Sequence, residues 1–177
     1  RGQEIDYHYG YEKYMYPSVL SYGNVDVFIH SWSKEHSHGI EDLYNPVKSK
    51  FEIDDGKRFK IRKKYYRDDE PLGSTWIRQA YSIKSMWYSR QKVIELAEEY
   101  EKESDFKYDH VILTRFDIAF MKKFEFDKYN ESKLYIAAPI LTQRSLSGQQ
   151  VPYRINDTWF MGNTDNLVKV VKINDAY

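Results

Sequence analysis

The sequence predicts a single α/β domain over residues 1–177, with a mostly parallel central sheet flanked by helices. Three observations predict it. The run Val111-Ile112-Leu113 is short and apolar, as a buried strand is. A long amphipathic helical pattern precedes it. Two strand-like segments come before that helix, so helix then strand reads as a βαβ crossover.

Taken in order, Tyr11 to Leu20 fits a short helix that Pro17 ends or kinks. Val25 to His30 carries a strand pattern after Asn24. Ser33 to Gly39 is polar and reads as a loop. Val47 to Ile53 alternates, as a half-buried strand does. Residues 54–73 are charged and irregular, and predict an exposed loop with a basic run from Lys57 to Arg67. A solvated surface is the first explanation of that run; contact with diphosphate or an anionic acceptor is the second.

Ser74 or Thr75 can cap the long helix. Trp76, Ala80, Ile83, Trp87, Ile94 and Ala97 fall on one of its faces, which ends near Ser104. After the Val111 strand come a polar, aromatic connection, a strand at Leu134 to Ala138, and a loop from Leu141 to Ile155 long enough to be a lid. Asp157 to Gly162 reads as the last strand. Thr164 or Asp165 then caps a final helix reaching Ile173.

Composition narrows the function classes. Lys plus Arg number 27 and Asp plus Glu number 27, so the net charge is zero. That argues against general nucleic-acid binding, which needs a basic surface. Cysteine is absent, which excludes disulfides and thiolate metal sites. No apolar run is long enough to cross a bilayer. No secretory signal is visible, so a cytoplasmic setting is expected. The 17 tyrosines can build a core or stack on sugars and bases. His30, His36 and His38 lack the paired spacing of a zinc site.

Three segments carry a family likeness: Val-Asp-Val-Phe-Ile-His-Ser-Trp at 25–32, Tyr-Asp-His-Val-Ile-Leu-Thr-Arg-Phe-Asp-Ile at 108–118, and Asn-Asp-Thr-Trp-Phe-Met-Gly at 156–162. Together they resemble the nucleotide-sugar glycosyltransferases of capsule and lipopolysaccharide gene clusters and of some large DNA viruses. The helix entry Gln79-Ala80-Tyr81-Ser82-Ile83 fits the same pattern, as does Arg1-Gly2, which would follow a first strand that this chain lacks. The resemblance implies a GT-A-type, Rossmann-like fold. It implies transfer of a sugar from a nucleotide-sugar donor to a glycan or other hydroxyl acceptor, assisted by Mn²⁺ or Mg²⁺.

Such enzymes usually carry Asp-x-Asp where this chain has Arg115-Phe116-Asp117. Asp117 is the candidate metal ligand, although an acid next to a strand end can also simply cap a turn. Arg115 can pair with donor phosphate or neutralise a carboxylate such as Asp117. Asp157 is the candidate catalytic base; an ordinary polar strand entrance is the plain alternative. His30 can meet donor phosphate or ribose, or be a satisfied structural histidine. Trp32 can stack on the base or cover a core edge. The resemblance also places Arg1, Gly2 and Gln79 among the donor-binding residues.

Overall fold

A computed structural model describes residues 4–59, 75–140 and 154–172. It is α/β, and the chain divides into two compact units. One comprises residues 1–25 and 105–167, the other residues 26–104 and 168–177.

The second unit is built on a short parallel pair. Strand β1 (Phe28–Ser31) runs beside β2 (Lys48–Phe51), with Phe28 opposite Lys48 and Ser31 opposite Phe51. The connection between them is helical, with a 3₁₀ turn at Lys34–His36 followed by helix α3 (Ser37–Tyr44). The sequence predicts a loop at Ser33 to Gly39, and the helix is a correction to it. Ser, His and Gly are weak helix formers, but Ile40 and Tyr44 are buried four residues apart, and that packing overrides the propensity. Asn45 ends the helix in the left-handed conformation at φ 42°.

Helix α4 (Thr75–Ser104) follows, as predicted. It packs on β1 and β2, with Phe28 and Tyr100 rings 5.8 Å apart and Lys48 Nζ donating to Glu103 at 2.7 Å. Its buried residues include Arg90, Ile94, Ala97 and Glu101, at helical spacing. Two of these are charged, and predicted face residue Ile83 is exposed. An apolar-only reading therefore misses part of the buried face.

The first unit opens with α1 (Glu4–Gly10), a wide π-type turn (Tyr11–Met15) and α2 (Tyr16–Ser18). The wide turn precedes Pro17, whose ring excludes the carbonyl four residues back. Ser18 ties this segment to residues 120–124: its hydroxyl donates to the Phe120 carbonyl at 2.7 Å, and its own carbonyl accepts from Phe124 N–H at 2.9 Å.

The sheet of this unit has the order β3 (Val111–Leu113), β5 (Arg154–Gly162), β4 (Tyr135–Ile140), and both pairings are antiparallel. The sequence predicts a mostly parallel central sheet with the long helix as crossover. The described strands instead form one parallel pair, crossed by α3, and an antiparallel triple. β5 lies between two neighbours, and Phe160 and Met161 on it are buried.

Helix α5 (Thr164–Val171) begins directly after β5. Its cap is Asn163 rather than Thr164 or Asp165, because Asn163 Oδ1 accepts from Asn166 N–H at 2.9 Å. Asn163→Ala is expected to cost about 1 kcal/mol, read as a lowered urea midpoint with an unchanged slope.

Candidate functional site

Five of the predicted site residues fall into two clusters, one in each unit: Arg115, Asp117 and Asp157 in the first, His30 and Trp32 in the second. In the first unit β3 ends at Leu113, which faces Phe160 of β5. Thr114 Oγ1 then donates to the Thr158 carbonyl at 3.5 Å. A tight turn follows, in which Ile118 N–H donates to the Arg115 carbonyl at 3.3 Å. Such a turn lets the side chains at 115 and 117 meet. Arg115 Nε donates to Asp117 Oδ1 at 2.8 Å, and Nη2 donates to Oδ2.

The pair is bidentate and half open to solvent, with side-chain exposures of 43% and 64%. An exposed ion pair of this kind contributes only about 0–1 kcal/mol to stability. Its effect on charge is clearer. Hydrogen bonding from Arg115, opposed by burial, holds the Asp117 carboxyl below its ordinary value. Arg115 is held above its own, first by Asp117 and further by the negative charge of Asp157 on β5. Arg115 and Asp117 are thus in direct contact, and the charge of Asp157 acts on the same guanidinium. Asp157 is partly buried, one residue before the Thr158 carbonyl that Thr114 engages.

The fit of this group to a divalent ion follows from its donors. Both Asp117 oxygens already accept from a guanidinium. An ion on that carboxylate would stand within several ångströms of a fixed positive charge. Repulsion between a dication and a unit charge at about 4 Å is about 2 kcal/mol even in bulk water. As arranged, these side chains do not suit a Mn²⁺ or Mg²⁺ ion.

The second cluster surrounds His30. Its side chain is 0% exposed, and its Nε2 lies 2.9 Å from Glu52 Oε2. Arg58 Nη1 donates to Glu52 Oε1 at 2.7 Å and to the Tyr88 hydroxyl at 2.9 Å. Trp32 stacks on Tyr88 at 5.4 Å between centroids, and the Arg58 guanidinium lies over both rings at 5.2 and 5.3 Å. Buried His30 Nδ1 and Trp32 Nε1 have no hydrogen-bond partner among the described residues.

Glu52 sets the tautomer. Burial alone would raise its carboxyl, but hydrogen bonds from His30, Arg58 and Tyr88 outweigh that and hold it at about 2. The ionised carboxylate accepts from His30 Nε2–H. Burial holds the imidazole below its usual value, against the pull of Glu52, so the neutral ring keeps an acceptor at Nδ1. Both shifts work in one direction on stability. The unfolded chain takes up the His30 proton below about 6.5 and the Glu52 proton below about 4.5; the folded chain does so only at lower pH. Stability present at neutral pH is therefore lost on acidification. The Tm gap between wild type and Glu52→Gln is expected to close as pH falls from 4.5 toward 2, measured by circular dichroism.

Glu52, Arg58 and Tyr88 are not among the residues predicted from sequence. Glu52 lies in the alternating segment and Arg58 in the basic run, so only their meeting was hidden. Arg1 and Gly2 lie outside the described residues, and so does the lid segment apart from Arg154 and Ile155. Gln79 falls on α4, with its side chain outside the described set. An open depression of about 460 Å³, lined by Glu41, Asn45, Lys48 and Ser49 among others, contains none of the predicted site residues. Among the described residues no helix is long and apolar enough to cross a membrane. Comparison with protein-family models, with characterised proteins and with solved structures finds no significant match.

Proposed function

We propose that this chain is a glycosyltransferase of GT-A type, moving a hexosyl or pentosyl group from a nucleotide-sugar donor to a glycan or other hydroxyl acceptor. The observation that carries this reading is the grouping of Arg115, Asp117 and Asp157 where β3 ends beside β5. Glycosyl transfer needs positive charge for the leaving diphosphate and a carboxylate for the acceptor proton. The guanidinium matches phosphate oxygens, and Asp157 is the base.

In a direct displacement the acceptor oxygen bonds to the anomeric carbon. The anomeric C–O bond to the diphosphate breaks, and its electron pair leaves with the diphosphate. The hydroxyl proton passes to Asp157.

Thermal unfolding with UDP, GDP, CDP or dTDP tests this reading. Binding to the folded state raises Tm, by an amount equivalent to about 2.7 kcal/mol at a hundredfold excess over Kd. At least one of the four is expected to do so. No rise with any of them removes the reading.

The cluster around His30 favours a second reading, a non-catalytic carbohydrate-binding domain. Stacked Trp32 and Tyr88 suit a sugar face. Glycan-array binding without nucleotide, abolished by Trp32→Ala, is its signature. Nucleoside diphosphate binding without any release from nucleotide sugars would mark a degenerate transferase scaffold.

A further inference from the structure

We propose that the Arg115 guanidinium takes the place of a divalent cation at the end of β3, so that this site meets an anionic ligand without a metal ion. The glycosyltransferase reading enters only in naming that ligand as a nucleoside diphosphate.

The inference starts from the chemistry of the group. Hard divalent ions take oxygen ligands and need carboxylates free to turn toward them. Here one position of the expected acid pair is Arg115, and the remaining acid is held by it through two parallel hydrogen bonds. The charge of Asp157 bears on the same guanidinium. One carboxylate is thus already bound to a cation that belongs to the chain, and a second bears on it through its charge. A metal ion entering here must break the bidentate pair and then sit beside the displaced charge.

The same arrangement suits phosphate. A guanidinium has five N–H donors in a rigid fork, and the bidentate pair engages only two of them. The Arg115 side chain is partly open to solvent, so the others are within reach of a ligand. Asp117 holds the fork in place through two hydrogen bonds, as an anchoring partner does for a binding group. A flexible lysine would present a point charge without that geometry.

The test uses the full chain, with Mn²⁺ alone as the first probe and its electron paramagnetic resonance signal as the readout. Wild type is expected to leave the free-ion signal unchanged at millimolar Mn²⁺. Arg115→Asp, which supplies the missing acid, is expected to bind Mn²⁺ about tenfold or more tightly than wild type, as removal of a charge repulsion of this size predicts. Adding Asp117→Ala should abolish that gain. Arg115→Ala, a milder change at an exposed position, should move Mn²⁺ affinity the same way by less. Wild type binding Mn²⁺ as tightly as Arg115→Asp, with loss in Asp117→Ala, would overturn the proposal.

The second arm repeats the nucleoside diphosphate melts in EDTA and in Mn²⁺. An equal Tm rise in both, reduced in Arg115→Ala, supports the proposal. A rise that requires Mn²⁺ overturns it. Should no nucleotide act while the Mn²⁺ results come out as expected, the glycosyltransferase reading fails and the cation substitution stands.

Discussion

Changing Asp157 to Asn is expected to slow nucleoside diphosphate release from the active nucleotide sugar by about 100- to 10,000-fold, the usual contribution of a general base. The change keeps size and shape and removes only the proton-accepting charge. Residue 157 lies in an irregular stretch of β5, between the pairs Phe160–Ile136 and Asn156–Ala137, where an isosteric amide makes no new steric demand on the backbone. The Tm rise caused by nucleoside diphosphate should therefore survive. The assay is release of diphosphate from a panel of UDP-, GDP-, CDP- and dTDP-sugars, with wild type and variant side by side. Release at the wild-type rate would take Asp157 out of the role of base.

Met161→Ala is expected to have the largest effect on stability. Met161 is 0% exposed and sits in the central strand, opposite Ile112 on one side and Tyr135 on the other. Truncating a buried methionine costs about 2–5 kcal/mol. In a chain of this size that is a fall in Tm of about 4–20 °C. The matched control is Met121→Ala, at a position 76% exposed, where a change within about 0.5 kcal/mol is expected. Equal melting of the two variants would show that the three-stranded sheet is not the core of its unit.

The contrast between these two methionines shows what a sequence holds. Both are apolar residues near a strand or turn, and composition does not separate them. Met161 lies in the run Trp159-Phe160-Met161, which reads as a strand from its pattern alone. Met121 follows Phe120 with no periodic partner. The legible elements are those whose signal is local: the helix from Thr75 to Ser104, the strand at Val111, and the last strand and helix. Helix α3 was illegible because it opens on Ser37, His38 and Gly39, which are weak helix formers, and its place in the fold rests on burying Ile40 and Tyr44.

The candidate site divides in the same way. Arg115 and Asp117 are two residues apart, so their pairing was open to a reading of the sequence. Asp157 is forty residues further on, and its charge reaches Arg115 only because β3 and β5 pair. Glu52 reaches His30 because β1 and β2 run in parallel, with His30 opposite Lys50. Nothing in the local pattern of either residue announces the other.

From its letters alone the chain fixed its long helix, the strand at Val111, the last strand and helix, its even charge balance, and the closeness of Arg115 to Asp117. Those follow from side-chain size, spacing and ionisation, which each segment carries with it. Which strands pair, and in which direction, was decided by the tertiary structure, as were the partners of His30 and the charge facing Arg115. The physical reason is that strand pairing and burial are set by contacts between residues distant in the chain, where many partners satisfy the same local pattern.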